Sequence, residues 1–416
     1  MRHFLLSIAS ALLLFACDDK SSPPMGNMTP VQALTYRGDV APILAKHCVS
    51  CHSPGSIAPF SLQSYAEVSA QAESIVAATG ERTMPPWGAD NSGACNTFKH
   101  ARWLSDDEIG KLSGWVAGGK VEGDPSLEPP QPELIPQLAD STHTLDPGVD
   151  YTPPSDRADD YRCFLVDPGL TSDQFITAFQ VYPGNTRMVH HAILYSLDSA
   201  AAETEATQLD QAEAGPGYTC FGGPRVANGS SRFLVGWAPG TGATWYPEGT
   251  GVRMSGGRKA VLQIHYNLAN GIAADRTRLE LKMAANVQNE ALIVPIADLD
   301  MQLPPRLERT ETTFQMANPF PLAIRIHGVA PHMHTLGRSL RVEYTAANGT
   351  TQCLVDVPRW DFHWQQLYLY ESPLRISPGG QVKLTCSYDT RERNTPVTWG
   401  EGTQDEMCLN YFYVTF

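Results

Sequence analysis

Two histidines, His332 and His334, lie two residues apart in the stretch APHMHTLG at residues 330–337. In an extended chain, residues i and i+2 point to the same face, so these two imidazoles can hold one metal ion together. An isolated pair at this spacing is also typical of hydrogen-bonded surface histidines. Which interpretation holds depends on whether further ligands come from elsewhere in the chain.

Further candidate ligands occur in three other apolar stretches. They are His190 and His191 in MVHHAILY, His265 in LQIHYNL and Met407 in TQDEMCLNYFYV. Adjacent histidines on a regular strand point to opposite faces, so His190 and His191 can share a metal only if the strand bulges or ends there. A lone histidine such as His265 on an apolar strand is often a buried structural residue. The complete order, HH then H then HxH then M, is more specific than any one of its parts.

A second kind of chemistry is indicated at residues 47–52, which read HCVSCH. C-x-x-C-H is the attachment motif of c-type haem, with Cys48 and Cys51 as the thioether cysteines and His52 as the iron ligand. The alternative in an oxidising compartment is a disulfide or a redox-active pair. Met84, in the stiff sequence TMPPW, is the candidate second axial ligand, since a thioether raises the haem potential. His47 and His100 are alternatives, and Met84 as a core residue is another.

The residues around this motif have a helical pattern. Residues 38–47 lead into the motif, residues 62–78 are rich in Ala, Glu, Gln and Ser, and Ser105 to Glu108 form a capping-box sequence. We therefore expect residues 31–122 to form a small all-α domain that resembles a monohaem cytochrome c.

The rest of the chain has the period of β-structure. Residues 123–160 are rich in proline and acids and are predicted to be a semi-stiff linker, partly laid on the next domain. Beyond them, short alternating strands end at Gly, Pro, Asn and Asp, and Asn348-Gly349 predicts a hairpin turn. This pattern predicts two all-β domains of the jelly-roll or β-sandwich type, at residues 161–299 and 300–416.

The N-terminus predicts export. Residues 1–17 combine Arg2 and His3 with an apolar run that is too short to span a bilayer, and they end in LFAC. This resembles a bacterial lipoprotein signal with lipidation at Cys17, followed by a polar tether at residues 18–30. An ordinary signal peptide is the alternative. We expect a periplasm-facing lipoprotein, anchored in the inner or outer membrane, in a compartment where disulfides form.

The overall charge excludes one class of partner. The formal net charge is −14 at pH 7, whereas a nucleic-acid-binding protein needs a basic surface. We therefore expect no nucleic-acid partner.

The order and spacing of the candidate ligands resemble the copper type II, ascorbate-dependent monooxygenases, the family of peptidylglycine α-hydroxylating monooxygenase and dopamine β-hydroxylase. The resemblance covers residues 160–416, and TWGEGTQDEMCLNY is its most specific segment. It implies two copper ions on separate sandwiches that face one cleft. The electron-transfer copper would bind His190, His191 and His265, and the oxygen-binding copper would bind His332, His334 and Met407. Imidazole suits copper in both oxidation states, and a thioether favours Cu(I).

The resemblance also implies roles for cysteines. Cys386 and Cys408 match a family disulfide beside the methionine ligand, and Cys163 and Cys220 are expected to pair in the first sandwich. Cys95 and Cys353 remain, either free or paired across domains.

The chain departs from the family at the substrate side. Ala330 occupies the place of the arginine that grips the substrate carboxylate in the peptide-hydroxylating member, so a peptidylglycine substrate is not expected. Tyr411 and Asn410 are expected to line the substrate side of the cleft, with Tyr411 as the candidate catalytic residue. His327 and His363 are single histidines with two interpretations. They either contact the substrate or a copper ligand, or they are structural.

The sequence thus predicts a monooxygenase that hydroxylates an aliphatic C–H bond of a small organic substrate with O2. An ascorbate-like reductant or a redox protein would be the external donor, and the fused haem would pass electrons to the first copper. In the alternative, the cytochrome only docks an external partner. Two other classes remain open: a haem and copper electron-transfer or copper-handling protein without oxygenase activity, and a haem sensor or structural lipoprotein.

Overall fold

The computed structural model describes residues 33–54, 56, 58–132, 136–227, 229–239, 241–268, 271–318, 321–400, 402 and 404–416. The predicted signal peptide, Cys17 and the tether lie outside these residues. Within the described ranges, no helix combines the length and the apolar character needed to cross a membrane.

The described elements are mostly strands. Five α-helices are α1 Ala41–His47, α2 Tyr65–Ala70, α3 Ala72–Gly80, α4 Asp106–Ala117 and α5 Ala200–Ala212, and a π-helical turn, Tyr36–Val40, precedes α1. The strands are β1 His143–Leu145, β2 Asp159–Val166, β3 Gln174–Tyr182, β4 Val189–Leu197, β5 Tyr218–Thr219, β6 Ser231–Trp237, β7 Thr244–Trp245, β8 Thr250–Met254, β9 Ala260–Asn267, β10 Arg278–Ala284, β11 Asn289–Ala297, β12 Gln302–Leu303, β13 Thr310–Ala317, β14 Ile324–His332, β15 Gly337–Thr345, β16 Thr351–Val357, β17 Tyr368–Ile376, β18 Gln381–Tyr388, β19 Val397–Thr398 and β20 Leu409–Thr415.

The N-terminal region is helical, as its sequence pattern predicts. Helix α4 begins with the capping box formed by Ser105 and Glu108, which satisfies two backbone N–H groups at the helix start. Its buried residues Leu112 and Trp115 pack with Leu44 of α1 in a separate small core. The helices α1 to α4 therefore have a core of their own beside the β-structure.

Two β-sandwiches make up the rest of the chain. In the first, the five-stranded sheet β5-β2-β9-β4-β6 packs against strands β10, β3 and β8. In the second, the four-stranded sheet β13-β18-β15-β16 packs against strands β11, β20, β14 and β17. The strands that oppose these two sheets belong to one nine-stranded sheet, which runs through both sandwiches. The predicted pair of β-sandwiches is confirmed, and the hairpin at Asn348-Gly349 joins β15 to β16.

The structure differs from the sequence-based boundaries at two places. Strand β11 ends before residue 300, but its residues 292–297 pair with β20 of the second sandwich. The second half of the predicted linker also contributes structure, because β1 pairs with β10 and Tyr151 bridges to Asp275. Both segments obtain their backbone hydrogen bonds from strands far away in sequence, which local patterns do not reveal.

The segment after α3 docks on the second sandwich. Phe98 stacks on Tyr370 with ring centroids 5.2 Å apart, and Trp87 meets Tyr368 edge-on at 4.9 Å. A disulfide, Cys95–Cys353, joins the same two parts of the chain. The helical region is thus covalently attached to the second sandwich, which decides the pairing that the sequence left open.

The two other disulfides pair as the family resemblance implies. Cys163–Cys220 connects β2 to the segment after β5, and Cys386–Cys408 connects β18 to the start of β20. The second of these bonds lies directly beside Met407, so it restrains the chain at a candidate ligand.

Candidate functional site

Three histidines of the first sandwich meet at the ends of β4 and β9. Strand β4 is irregular between Val189 and His191, where its pairing register with β9 shifts. This bulge is the feature that adjacent histidines require to face one site, so that expectation is confirmed. One ligand nitrogen each of His190, His191 and His265 lies within 4.8 Å of the others.

The surroundings of this group keep its imidazoles neutral. Burial lowers the pKa of His190 to about 4 and holds the pKa values of His191 and His265 well below the usual range. The Asp159 carboxylate accepts a hydrogen bond from Nε2 of His265 at 2.9 Å, which leaves Nδ1 of His265 facing Nδ1 of His191 at 3.3 Å. Both ring nitrogens of His190 are buried without a hydrogen-bond partner among the described residues. Neutral imidazoles with unprotonated nitrogens turned to one point suit a metal ion.

The second group lies where β14 ends and β20 begins. The side chain of Gln365 donates to the carbonyl of Phe362, so its Oε1 accepts from Nδ1 of His332 at 2.5 Å. Nδ1 of His334 donates to the carbonyl of Asp405 at 3.1 Å. These bonds leave Nε2 of both histidines as the ligand atom. Burial lowers the pKa of His332 to about 3 and also lowers that of His334.

Glu406 connects the two segments that carry the second group. Its two carboxylate oxygens accept from the backbone N–H groups of His334 at 3.0 Å and Leu336 at 2.6 Å. The residue is fully buried, and burial raises its pKa to about 7. Since Met407 follows directly in the chain, this carboxylate ties the methionine segment to the histidine segment.

Both groups line one cleft between the sandwiches, of about 680 Å³. His190, His191, His332, His334 and Met407 are in its walls. The ring of Phe362 stacks on His190 with centroids 4.7 Å apart and lies 6.1 Å from the ring of His334. Members of two different donor sets therefore face the cleft. His190 and His191 lie on one side, while His265 of the same group is buried and is not a lining residue, and His332, His334 and the thioether of Met407 lie on the other side.

The other candidate residues separate into lining and buried positions. Tyr411 lines the cleft and stacks on Phe233 at 4.8 Å. His363 also lines it and pairs with Asp361 at 3.2 Å, which raises its pKa. Asn410 is fully buried and is not a lining residue, because alternate residues of β20 point away from the cleft, so its expected place there is wrong. His327 is likewise buried away from the cleft and bonds to Thr415 at 2.8 Å.

The C-x-x-C-H motif lies in the helical region, at the end of α1. Cys48 and Cys51 are the free cysteines of the described chain, whereas the other six form disulfides. Burial raises the pKa of the Cys48 thiol to about 12, which does not suit a thiolate redox pair. Nδ1 of His52 donates to the carbonyl of Phe60 at 3.1 Å, so its Nε2 remains as a ligand atom.

The alternative axial ligands differ in their surroundings. The Met84 side chain is 38% exposed, in a segment that precedes the docked residues. His47 is buried, and its Nε2 pairs with Glu108 at 3.2 Å, so that nitrogen is occupied.

Several site residues were not singled out from the sequence. Asp159, Phe362 and Gln365 act through contacts with ligands that are distant in the chain, so spacing does not indicate them. Gln365 lies in the unusual run WDFHWQQ, and Glu406 directly precedes Met407. For Gln365 and Glu406, the sequence signal that could have indicated a role was their closeness in the chain to residues already singled out.

Comparison with protein families agrees with this geometry. Residues 149–273 match the N-terminal domain, and residues 290–415 the C-terminal domain, of the copper type II ascorbate-dependent monooxygenases. With both domains present in the family's order, the chain belongs to the copper type II ascorbate-dependent monooxygenases. The helical region precedes the matched residues.

Individual relatives are similar at modest identity. Tyramine beta-hydroxylase of Caenorhabditis briggsae is 27% identical over 254 residues, which are 56% of this chain and 40% of the relative. Dopamine beta-hydroxylase of Rattus norvegicus is 28% identical over 254 residues, 56% of this chain and 39% of the relative. The human dopamine beta-hydroxylase is 24% identical over 278 residues, 61% and 43% of the two chains. The chain thus spans less than half the length of these relatives.

Proposed function

We propose that this protein is a copper-dependent monooxygenase that hydroxylates an aliphatic C–H bond of a small organic substrate with O2. The observation that carries the proposal is the cleft, which brings two chemically different donor sets to one space. Copper bound there would supply one-electron redox chemistry and activation of O2. An ascorbate-like reductant or a redox protein would supply the electrons from outside.

The residues of the first site are suited to electron transfer. His190, His191 and His265 would hold one copper, and the unpartnered nitrogens of His190 are the sign that a ligand belongs there. Asp159 fixes the tautomer of His265, as carboxylates commonly do for metal-binding histidines.

The residues of the second site are suited to a copper that meets O2 while reduced. His332, His334 and Met407 would hold this ion, and the soft thioether favours Cu(I). Tyr411, on the wall of the same cleft, is positioned to contact the substrate. A protein that only stores copper has no need for two different donor sets, which favours the oxygenase over the copper-handling alternative.

We also propose a covalently bound haem c on Cys48, Cys51 and His52, with Met84 as the second axial ligand. The free state of this cysteine pair, in a chain whose other described cysteines are all paired, supports the attachment.

The haem would supply electrons to copper. Contacts of the protein itself connect the two regions: Arg102 of the helical region donates to Gln366 at 3.2 Å, and the adjacent Gln365 binds His332. These contacts favour the second copper site as the acceptor, rather than the first.

Export with a lipid anchor at Cys17 is proposed for the same protein. Three disulfides in the described chain support an oxidising compartment. Metabolic labelling with a fatty acid would test the anchor, with Cys17→Ser as the control that must lose the label.

The function is tested by metal content and O2 uptake. The full chain, matured with haem and reconstituted with copper, should contain two coppers and one iron. It should consume O2 in proportion to an added substrate. Iron without copper after reconstitution would contradict the enzyme, and copper without substrate-dependent O2 uptake would favour the electron-transfer protein.

The haem is tested separately by stopped-flow spectroscopy. Reduced haem should reoxidise faster in the copper-loaded chain than in the copper-depleted chain under anaerobic conditions. Equal rates would show that the haem serves another partner.

A further inference from the structure

The walls of the cleft have an unusual charge composition. Among the described lining residues there is no Asp, Glu, Lys or Arg, and the ionisable side chains are histidines and tyrosines. Four of the lining histidines, His190, His191, His332 and His334, belong to the candidate copper groups. Of the lining histidines, His363 lies outside both candidate ligand sets, and its charge when protonated is balanced by Asp361.

The substrate side of the cleft is apolar. Tyr411 and Phe233 form a stacked aromatic pair, and Phe314, Met316 and Trp399 also line the space. Leu299 belongs to the same lining and is 63% exposed. Ligand sites are lined mainly by apolar and aromatic side chains, so this part of the cleft suits an apolar ligand.

We infer that the cleft accepts an uncharged, largely apolar substrate and selects against organic cations of the same size. This inference rests on the proposed function and names the substrate class of that site. A cationic group that enters such a cleft loses its hydration and finds no carboxylate on the described walls, which is costly. Copper ions bound at the two sites would add positive charge and disfavour a cation further.

The test compares two ligands of one shape. The probes are 2-phenylethanol, which is neutral, and phenethylammonium, which is cationic, and their binding to the copper-loaded full chain is measured by calorimetry. We expect the alcohol to bind at least about tenfold more tightly than the cation, a preference that corresponds to desolvation of an unpaired charge. Equal or tighter binding of the cation would overturn the inference.

A matched pair of variants tests whether the preference for the uncharged ligand comes from the wall of the cleft. Leu299→Glu places a carboxylate on the cleft wall and should raise the affinity for phenethylammonium, relative to the alcohol, by about tenfold. Leu322→Glu is the control, because Leu322 is 64% exposed but does not line the cleft. An equal change in both variants would overturn the inference, since it would assign the effect to the net charge of the protein.

One acidic residue needs its own variant. Glu401 follows Trp399 by two residues in the chain and lies outside the described residues. Glu401→Gln should leave the preference unchanged. A loss of phenethylammonium binding in this variant would show that the cleft contains an acidic anchor and would overturn the inference.

Measurements of binding and of substrate-dependent O2 uptake distinguish a failure of the inferred substrate class from a failure of the proposed oxygenase function. If the alcohol is preferred in binding but no probe stimulates O2 uptake, the substrate class stands and the oxygenase function is in question. If phenethylammonium stimulates O2 uptake more than the alcohol does, the function stands and the inferred class is wrong.

Discussion

At the scale of single residues, the candidate site depends on hydrogen bonds made by the nitrogens that do not face the metal. Asp159, Gln365 and the carbonyl of Asp405 each take one imidazole N–H, at His265, His332 and His334. Each bond sets the tautomer and holds the ring, so the remaining nitrogen is available as a ligand. The residue types alone could not show which nitrogen is free.

The first prediction concerns Asp159. Asp159→Ala should weaken copper binding at the three-histidine site by about 10- to 100-fold, because His265 loses the partner that orients it. A competition titration with a copper chelator measures this affinity, and the second site should keep its own affinity. Asp156→Ala is the control, since Asp156 pairs with Arg157 at the surface. An equal loss at both sites would contradict a local role.

A second prediction at this scale concerns Glu406. Glu406→Gln replaces one of two accepting oxygens with an NH2 group that opposes a backbone N–H of the His334 segment. Leaving a buried donor unsatisfied should lower the free energy of unfolding by about 1–3 kcal/mol. Urea denaturation measures the change, and Glu311→Gln on an outward-facing position of β13 should be close to neutral. If Glu406→Gln leaves the free energy of unfolding unchanged, the hydrogen bonds from the His334 segment to Glu406 are not needed for folding.

At the scale of elements, irregular strands place the ligands. The register shift in β4 turns adjacent histidines toward one point, and a second shift in β14 lies between Ile326 and Gly328, ahead of the HMH segment. A one-residue change of register moves side chains to the opposite face, so bulges decide which residues face the cleft.

The third prediction tests the irregularity in β14. A Cβ at Gly328 would lie 2.9 Å from both the Tyr368 carbonyl and a Leu369 methyl, so Gly328→Ala should destabilise the second sandwich by about 1–3 kcal/mol. Gly110→Ala is the matched control, because a Cβ there meets nothing within 4 Å, and in helix α4 it should stabilise by about 0.5–1 kcal/mol. Thermal denaturation measures both changes. The same sign for the two variants would contradict the steric explanation.

At the scale of the whole molecule, the helical region is part of one assembly with the second sandwich. The Cys95–Cys353 bond joins residues that are 258 apart in sequence, and ring contacts of Phe98 with Tyr368 and Tyr370 join the same two parts of the chain. The attachment brings Arg102 of the helical region to Gln366, beside the Gln365 that accepts from His332.

The fourth prediction removes this bond. The double variant Cys95→Ser and Cys353→Ser should lose about 2–4 kcal/mol of stability, since a cross-link restrains the unfolded chain. It should also make the segment between the helical region and the sandwiches more sensitive to limited proteolysis. The control is the double variant Cys163→Ser and Cys220→Ser, which should destabilise the first sandwich without releasing the helical region. Unchanged proteolysis in the first variant would show that packing alone holds the docked segment.

Much of the site could be predicted because its chemistry is local in sequence. C-x-x-C-H, HxH and the order of histidines and methionine are properties of residue type and spacing, and alternation with turn residues predicts two sandwiches. The capping box at α4 and the hairpin at Asn348-Gly349 were predictable for the same reason, since each depends on interactions within a few residues.

Only the tertiary structure decided what depends on distant partners. Strand β11 belongs to the second sandwich because its hydrogen bonds go to β20, and β1 extends the first because it pairs with β10. The pairing of Cys95 with Cys353, the placement of Phe362 between the two histidine groups and the uncharged walls of the cleft are likewise non-local. Residue types determine which ligands a chain can offer, but long-range packing determines which of them share a space and what that space excludes.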